Sequence, residues 1–431
     1  MLTYPSRETA SAFALLRQRE FARLDANGVA YLDYAGSALY GASQIDAHHA
    51  LLARSVFGNP HSAHRASADS TAAIDAARRR VLRFLDAGDD YDVCYTANTT
   101  AAIHLVAESY PFGPDAPLVL TADNHNSVNG VREFARRAGA SVTYLPLRGD
   151  LRLDHPEARL AQIGGDGLFA YPAQSNFSGV QHPLSLVRYA QSLGYHVLLD
   201  AAAYVPSCPL SLRACPADFV VMSFYKVFGY PTGVGALIAR KEALRAVERP
   251  WFSGGTVEYA SVALDRHQLR QGHEAWEDGT PNVTGIAGLE SGFMLREAVG
   301  AGPLLRHAQG MTEMLLEGLL SLRHFHGEPM VRIYGPADLD GRGATIAFNL
   351  LDRDGRTVPF ALVEARTSSA GVCLRGGCFC NPGAAEAAFG IDASQAVLPV
   401  GAVRASTGMA TQPRDIERAL DVLASFARSV S

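Results

Sequence analysis

The feature that most constrains the fold is a series of short apolar runs separated by helix-like segments through the first two thirds of the chain. Several runs are apolar throughout, which is typical of parallel strands covered on both faces. The clearest helical segment spans residues 70 to 85, where Ile74, Val81 and Leu85 share one face. The pattern predicts an α/β fold with a mainly parallel, seven-stranded sheet. The predicted strands are Asp92–Tyr95, Leu118–Thr121, Ser141–Leu145, Leu168–Tyr171, His196–Asp200, Phe219–Met222 and Gly235–Ala239.

The pattern changes at about residue 300, and this change predicts a second, smaller domain of α+β type. A predicted helix at 311–322 precedes separated strands at 344–350 and 371–374, and a helix at 415–427 follows them. We therefore predict a large domain over residues 41–295 and a small C-terminal domain over residues 296–431. We expect residues 1–40 to pack with the small domain.

Charge and cysteine content exclude several classes of protein. The 431 residues include 38 basic and 43 acidic side chains, and no run of Lys or Arg indicates a nucleic-acid or membrane surface. The chain contains no credible transmembrane helix, and its first residues lack the pattern of a secretory signal. Six cysteines are too few for a disulfide scaffold in a chain of this length. We expect reduced thiols and a cytoplasmic location.

Lysine is scarce, which narrows the search for a reactive amine to Lys226 and Lys241. Lys226 comes directly after the predicted strand at 219–222. A buried ammonium loses hydration, its pKa falls, and the resulting neutral amine can form a Schiff base. The alternative is a lysine at a strand end with its amine in water, and this segment alone does not decide between them.

Two further segments place polar groups at the carboxyl ends of predicted strands. Thr99 and Thr100 begin a helix, where free N–H groups and hydroxyls can bind phosphate; the simpler interpretation is an N-cap at Asn98 or Thr99. Asp200 ends its strand at the edge where open α/β sheets bind ligands. Its alternative role is that of a cap or turn residue.

A glycine-rich loop carries two thiols, Cys378 and Cys380. The pair could be ligands of a structural metal, a redox pair, or a site with one nucleophilic thiol. A metal site would need a second pair of Cys or His ligands at matching spacing, and the sequence offers none, so we expect no metal.

Several segments together resemble class V aminotransferase-fold enzymes, and within that group the cysteine desulfurase-like domain of molybdenum cofactor sulfurases. The resemblance extends in order from about residue 31 to about residue 422. The segments that carry it are Tyr31–Gly36 (YLDYAG), Asn59–Ser62 (NPHS), Asp123–Val128 (DNHNSV), Tyr171–Gly179 (YPAQSNFSG), Ser223–Gly233 (SFYKVFGYPTG) and Arg375–Asn381 (RGGCFCN).

The resemblance implies a fold-type-I homodimer that binds pyridoxal 5′-phosphate in its large domain. Lys226 would bind the cofactor covalently, Asp200 would pair with the pyridinium nitrogen, and His125 would stack on the ring and relay protons. Asn176 would contact both the ring oxygen and the substrate, and Arg404 would bind the substrate carboxylate. The remaining cofactor-binding residues would be Thr99, Thr100, Ser223 and Tyr225, with Thr280 reaching over from the other subunit.

The resemblance also implies the reaction. L-cysteine or a cysteine derivative would be converted to alanine, with Cys380 as the nucleophile that retains the sulfur and Cys378 as an accessory thiol. An acceptor on a separate chain, either a protein or molybdenum cofactor, would take the sulfur. The alternatives are a C–S lyase, epimerase or related enzyme that does not use Cys380, and a non-catalytic sulfur carrier or scaffold. Two departures from the desulfurase pattern are Ala203, where many members have Gln, and Tyr225, where the general pattern has His.

Overall fold

A computed structural model describes residues 7–391 and 401–428. The strands, in chain order, are β1 (Ala30–Tyr31), β2 (Tyr91–Thr96), β3 (Leu118–Thr121), β4 (Val142–Leu145), β5 (Leu168–Pro172), β6 (His196–Asp200), β7 (Phe219–Ser223), β8 (Gly235–Arg240), β9 (Val257–Ser261), β10 (Arg266–Leu269), β11 (Val331–Tyr334), β12 (Thr345–Leu350), β13 (Val372–Cys373), β14 (Arg375–Gly377) and β15 (Ala402–Ser406). The helices are α1 (Arg7–Glu20), α2 (Ala22–Ala26), α3 (Ala42–Arg54), α4 (Arg65–Phe84), α5 (Thr99–Ser109), α6 (Asn126–Asn129), α7 (Val131–Arg137), α8 (Pro156–Ile163), α9 (Ser185–Ser192), α10 (Phe224–Phe228), α11 (Lys241–Arg245), α12 (Val283–Val299), α13 (Ala301–Ser321), α14 (Phe360–Ser369), α15 (Pro382–Phe389) and α16 (Pro413–Ala424). Two 3-10 helices span Gly272–Trp276 and Ser425–Arg428.

The centre of the fold is a seven-stranded sheet in the order β2-β8-β7-β6-β5-β3-β4. β8 is antiparallel to both of its neighbours, and the other neighbouring pairs are parallel. Each strand begins and ends within one residue of the predicted bounds. The predicted α/β fold with its mainly parallel sheet is therefore confirmed.

Helices bury both faces of this sheet, as the uninterrupted apolar runs predicted. β3, β5 and β7 are buried at every position. Side chains alternate between two cores: in β7, Val220 and Met222 belong to one, and Phe219 and Val221 belong to the other. Because β3, β5, β6 and β7 run in the same direction, their carboxyl ends meet at one edge of the sheet, where a ligand crevice is expected.

A second sheet has four antiparallel strands in the order β11-β12-β15-β14. The N-terminal segment joins this part of the chain, since β1 pairs in parallel with β13 and Asp33 forms a bridge to Ser406. The domain bounds at residues 40 and 295 stay predictions. Residues 1–6, 392–400 and 429–431 of the predicted segments lie outside the described residues.

The sequence analysis did not predict the antiparallel hairpin of β9 and β10. Its surface carries exposed apolar side chains at Tyr259, Val262 and Leu264, and Trp251 and Phe252 are exposed just before it. None of the helices in the described parts of the chain is both long and apolar enough to cross a membrane.

Candidate active site

A cavity of about 210 Å³ lies where the carboxyl ends of β5, β6 and β7 meet the start of α5. Most of the predicted site residues face it. The exceptions are Thr280, Arg404, Cys378 and Cys380. The cavity is lined by Asn98, Thr99, Thr100, His125, Ser127, Pro172, Gln174, Asn176, Asp200, Ala202, Ala203, Ser223, Tyr225 and Lys226.

Lys226 lies in α10, a helix of one turn that begins immediately after β7. Loss of hydration lowers the pKa of its amine, and the charge of Asp200 opposes this shift. No described side chain forms an ion pair with the amine within 4 Å. A lysine in such surroundings is a nucleophile for carbonyl compounds. Lys241, by contrast, lies on the surface and donates a hydrogen bond to the carbonyl of Asp89 at 2.7 Å.

Asp200 is the last residue of β6 and is buried. Its Oδ1 accepts a hydrogen bond of 2.9 Å from the Ala202 N–H. A buried carboxylate at this position can hold a proton on a basic nitrogen of a ligand in the cavity. Tyr225 lines the same cavity beside Lys226, and burial raises the pKa of its hydroxyl.

The start of α5 forms one end of the cavity. Asn98 is the N-cap, and its Oδ1 accepts a hydrogen bond from the Ala101 N–H at 3.0 Å. The Thr99 N–H donates to Ser223 Oγ at 2.8 Å, and the two hydroxyls share a hydrogen bond of 2.7 Å. Hydroxyls and N–H groups at a helix N-terminus suit a phosphate group. Gly235 permits this arrangement, because a Cβ there would lie 2.5 Å from the backbone of Asn98.

Ser127 joins this end of the cavity to the predicted stacking residue. Its hydroxyl shares a hydrogen bond of 2.8 Å with Thr100 Oγ1 and one of 3.0 Å with His125 Nδ1. His125 Nδ1 also accepts the Ser127 N–H at 3.1 Å, so the proton of the neutral ring lies on Nε2. Burial lowers the pKa of His125, which favours this neutral form.

The thiol loop lies against the cavity and is held through its backbone. Asn176 Nδ2 donates to the carbonyl of Phe379 at 2.7 Å, and the Asn126 N–H donates to the carbonyl of Cys380 at 2.7 Å. Cys378 and Cys380 are free thiols with exposed side chains. Phe379 and Cys380 have φ values of 56° and 55°, a region that non-glycine residues rarely occupy.

Arg404 lies behind this loop and is 3% exposed. Its Nη1 donates to the carbonyl of Asn176 at 2.9 Å, and its Nη2 donates to Asp33 Oδ1 at 3.2 Å. Arg375 binds the same carboxylate through Nη2 at 2.6 Å. Burial lowers the pKa of Arg404, and Asp33 opposes that shift. The ring of Phe379 covers the guanidinium, with 4.6 Å from Cζ to the ring centroid.

Thr280 lies away from the cavity of its own chain. It lines a neighbouring groove that borders the cavity at Asn98 and Thr100, and its hydroxyl donates to Asn59 Oδ1 at 3.5 Å. Its predicted contact with a second subunit stays a prediction.

The sequence analysis did not single out four residues that the fold brings to this site: Ser127, Gln174, Asp33 and Phe379. Each lies inside a segment that carried the family resemblance. The available signal was therefore their position within those segments. No three His, Cys, Asp or Glu side chains within residues 7–391 and 401–428 are grouped so as to hold a metal ion.

Comparison with known proteins identifies the family. Residues 30–419 match the sequence family described as Aminotransferase class-V. The chain belongs to this family. The chain is 34% identical to molybdenum cofactor sulfurase from Arabidopsis thaliana over 96% of its own length, but it spans 58% of that relative.

Solved structures agree with this assignment. The apo cysteine desulfurase from Thermococcus onnurineus NA1 is 25% identical in sequence. Its superposition covers 100% of this chain and 100% of the desulfurase, with a TM-score of 0.85. The complex of a cystine C–S lyase with its product cysteine persulfide has a TM-score of 0.74 at 17% identity, covering 94% of this chain and 99% of the other. The second likeness shows a shared fold.

The cavity fits pyridoxal 5′-phosphate, the cofactor of this family. The helix start at Thr99 would hold the phosphate, Lys226 would supply the amine, and Asp200 would supply a buried carboxylate for the ring nitrogen. Asn176 and His125 border the space between these ends. Ala203 lines the cavity at the position where many desulfurases have Gln, so its methyl group offers no hydrogen bond there.

Proposed function

We propose that this chain is a pyridoxal-phosphate-dependent cysteine desulfurase that passes sulfur to an acceptor outside its active site. The observation that carries the proposal is the placement of Lys226. Its amine has a lowered pKa, shares a cavity with Asp200 and the start of α5, and lies within electrostatic range of Cys380. An amino-acid substrate and a thiol nucleophile can therefore meet at one amine.

The bound cofactor supplies an electron sink for negative charge that develops at the substrate Cα. Lys226 would take the Cα proton and return it, because a lowered pKa leaves more of its amine in the neutral, basic form. Asp200 would keep the ring nitrogen protonated. His125, held through Nδ1, would stack on the ring and relay protons through Nε2.

Cys380 would attack the sulfur of the substrate as a thiolate. A new S–S bond forms, the substrate C–S bond breaks, and its electron pair stays on carbon. A proton then completes alanine, and a persulfide remains on Cys380. Because Cys380 does not line the cavity, its loop would have to carry the thiol inward for attack and outward for delivery.

The relatives support sulfur transfer to molybdenum cofactor, since the chain resembles part of proteins with the name molybdenum cofactor sulfurase. We propose a homodimer as the working unit, in which Thr280 of each subunit completes the phosphate site of the other. The exposed side chains at Trp251, Phe252 and Tyr259 would be covered at this contact.

A C–S lyase is the second candidate, favoured by one observation. Cys380 lies outside the cavity, and a lyase would not need it. Such an enzyme would release pyruvate, ammonia and sulfide rather than alanine.

The deciding experiment is a product assay of the holoprotein with L-cysteine in the presence of a thiol reductant. Alanine and sulfide in equal amounts are expected from a desulfurase. Pyruvate and ammonia as main products would replace the proposal with the lyase. Absence of turnover, together with absence of visible absorbance, would favour a scaffold protein.

A further inference from the structure

Arg404 has unused binding capacity in this structure. A guanidinium carries five N–H donors, and the described residues accept only one bond at Nη1 and one at Nη2. Its Nε is buried and has no partner among residues 7–391 and 401–428. A buried donor without an acceptor is costly. A carboxylate that bound Nε and Nη2 side by side would satisfy it.

The face of this guanidinium is closed by Phe379. The ring centroid lies 4.6 Å from Cζ of Arg404, and the ring also packs against Phe177, with 5.4 Å between the two ring centroids. The contact is a cation–π interaction in a desolvated setting. Nε is also buried, so a carboxylate can reach it only if a neighbouring group moves away, and the Phe379 ring is a group in direct contact with this guanidinium.

Phe379 also stands between the two thiols in sequence, so its movement is transmitted to both. Two hydrogen bonds hold the carbonyls of Phe379 and Cys380: one from the side-chain amide of Asn176 and one from the backbone N–H of Asn126. Both residues have a positive φ. Such a conformation costs free energy and persists only while surrounding contacts maintain it. The stacked ring is one of those contacts, and its loss would favour release of the loop.

We propose that Phe379 is a positioning residue that couples binding of a carboxylate at Arg404 to release of the Cys380 loop. The proposal rests on the proposed function for the identity of the ligand, an amino acid with a free α-carboxylate. When the carboxylate binds, the ring leaves Arg404 and Cys380 becomes free to move. An amine with a thiol but no carboxylate would bind in the cavity at Lys226 but would leave the Cys380 loop in place. Phe379 would thereby make the thiol available only to α-amino acids.

The test uses the holoprotein with Cys378→Ser as the parent, so that the loop carries one thiol. Two probes differ only in the carboxylate: L-alanine, which has it, and ethylamine, which lacks it. Binding is followed by the visible absorbance of the cofactor. Loop release is followed by the rate at which iodoacetamide alkylates Cys380, measured on the peptide by mass spectrometry.

In the parent, saturating L-alanine should raise the alkylation rate of Cys380 about threefold or more, and ethylamine should leave it unchanged. Phe379→Ala should react about three to ten times faster than the parent without any ligand, the range of one cation–π contact. It should show no further response to L-alanine. Phe379→Tyr keeps an aromatic face and should behave like the parent, whereas Phe379→Leu keeps bulk near Phe177 and should fall between them.

Two results would overturn the proposal. One is L-alanine that changes the absorbance of the parent without changing the alkylation of Cys380. The other is a ligand-free Phe379→Ala that reacts at the parent rate. Failure of the proposed function has different signatures. A lyase is recognised by pyruvate in the product assay, and a protein that binds no amino acid is recognised by L-alanine that leaves the absorbance of the parent unchanged. In both cases the ligand-free comparison of Phe379→Ala with the parent still decides whether the ring anchors the loop.

Discussion

Replacement of Asp33 by Asn tests whether one carboxylate holds Arg404, the proposed substrate-binding arginine, in place. Asp33 is 8% exposed, Arg404 is 3% exposed, and their Oδ1 and Nη2 atoms are 3.2 Å apart. Asp33→Asn keeps the shape but removes the charge, which leaves the buried guanidinium without a counter-ion. Breaking a buried pair in this way costs about 3 kcal/mol in the free energy of unfolding.

A matched control measures how much unfolding free energy is lost when an exposed ion pair is removed instead of a buried one. Glu133 contacts Arg132 Nε at 3.1 Å and Arg136 Nη1 at 3.4 Å, but its side chain is 61% exposed. Glu133→Gln should therefore cost less than about 1 kcal/mol. The difference of about 2 kcal/mol corresponds to about a 30-fold change in the unfolding equilibrium.

The assay is urea unfolding of each variant, followed by far-ultraviolet circular dichroism. Arg375→Gln adds an internal comparison, because it removes the half-exposed partner of Asp33 and leaves the buried pair intact; we expect a loss of about 1 kcal/mol. The reasoning is refuted if Asp33→Asn unfolds at the same urea concentration as Glu133→Gln. It is also refuted if Arg375→Gln is the more damaging of the two site variants.

Four further outcomes are expected at the cavity. Lys226→Ala should lose the visible absorbance of the cofactor and all turnover while keeping its circular dichroism spectrum; a borohydride-reducible adduct that persisted in it would move the role to Lys241. The apoprotein should react with pyridoxal phosphate at full rate at a pH below the range in which an ordinary lysine titrates. The reason is that the lowered pKa of Lys226 makes its amine neutral at a lower pH. Asp200→Asn should shift that pH profile to still lower pH, because the Asp200 charge raises the pKa of Lys226. The same variant should lose turnover by orders of magnitude while it still binds the cofactor. A near-normal rate would show that Asp200 is only a cap. Cys380→Ala should abolish sulfur transfer without altering the cofactor spectrum, whereas Cys378→Ala should retain most of it, and equal rates for Cys380→Ala and the parent would exclude the persulfide route.

The central sheet and one side of the cavity follow from local patterns along the chain. A run such as Phe219–Met222 has apolar side chains on both faces of a strand, so both faces must be covered. This pattern predicts a buried strand of a parallel sheet from the local sequence alone. Asp200 ends one such run, Lys226 lies just after another, and Thr99 follows the N-cap residue of a helix. Their positions near the carboxyl edge of the sheet are a consequence of local order along the chain.

The positions of the thiol loop and Arg404 beside this cavity depend on contacts between distant parts of the chain. Asp33 and Arg404 are 371 positions apart, and they meet because the N-terminal segment pairs with β13 and bridges to Ser406. The contact between Asn176 and Phe379 spans 203 positions. No local periodicity encodes such contacts, because they depend on how the second sheet packs against the first. The contact of the Phe379 ring with the Arg404 guanidinium therefore could not be predicted from the sequence.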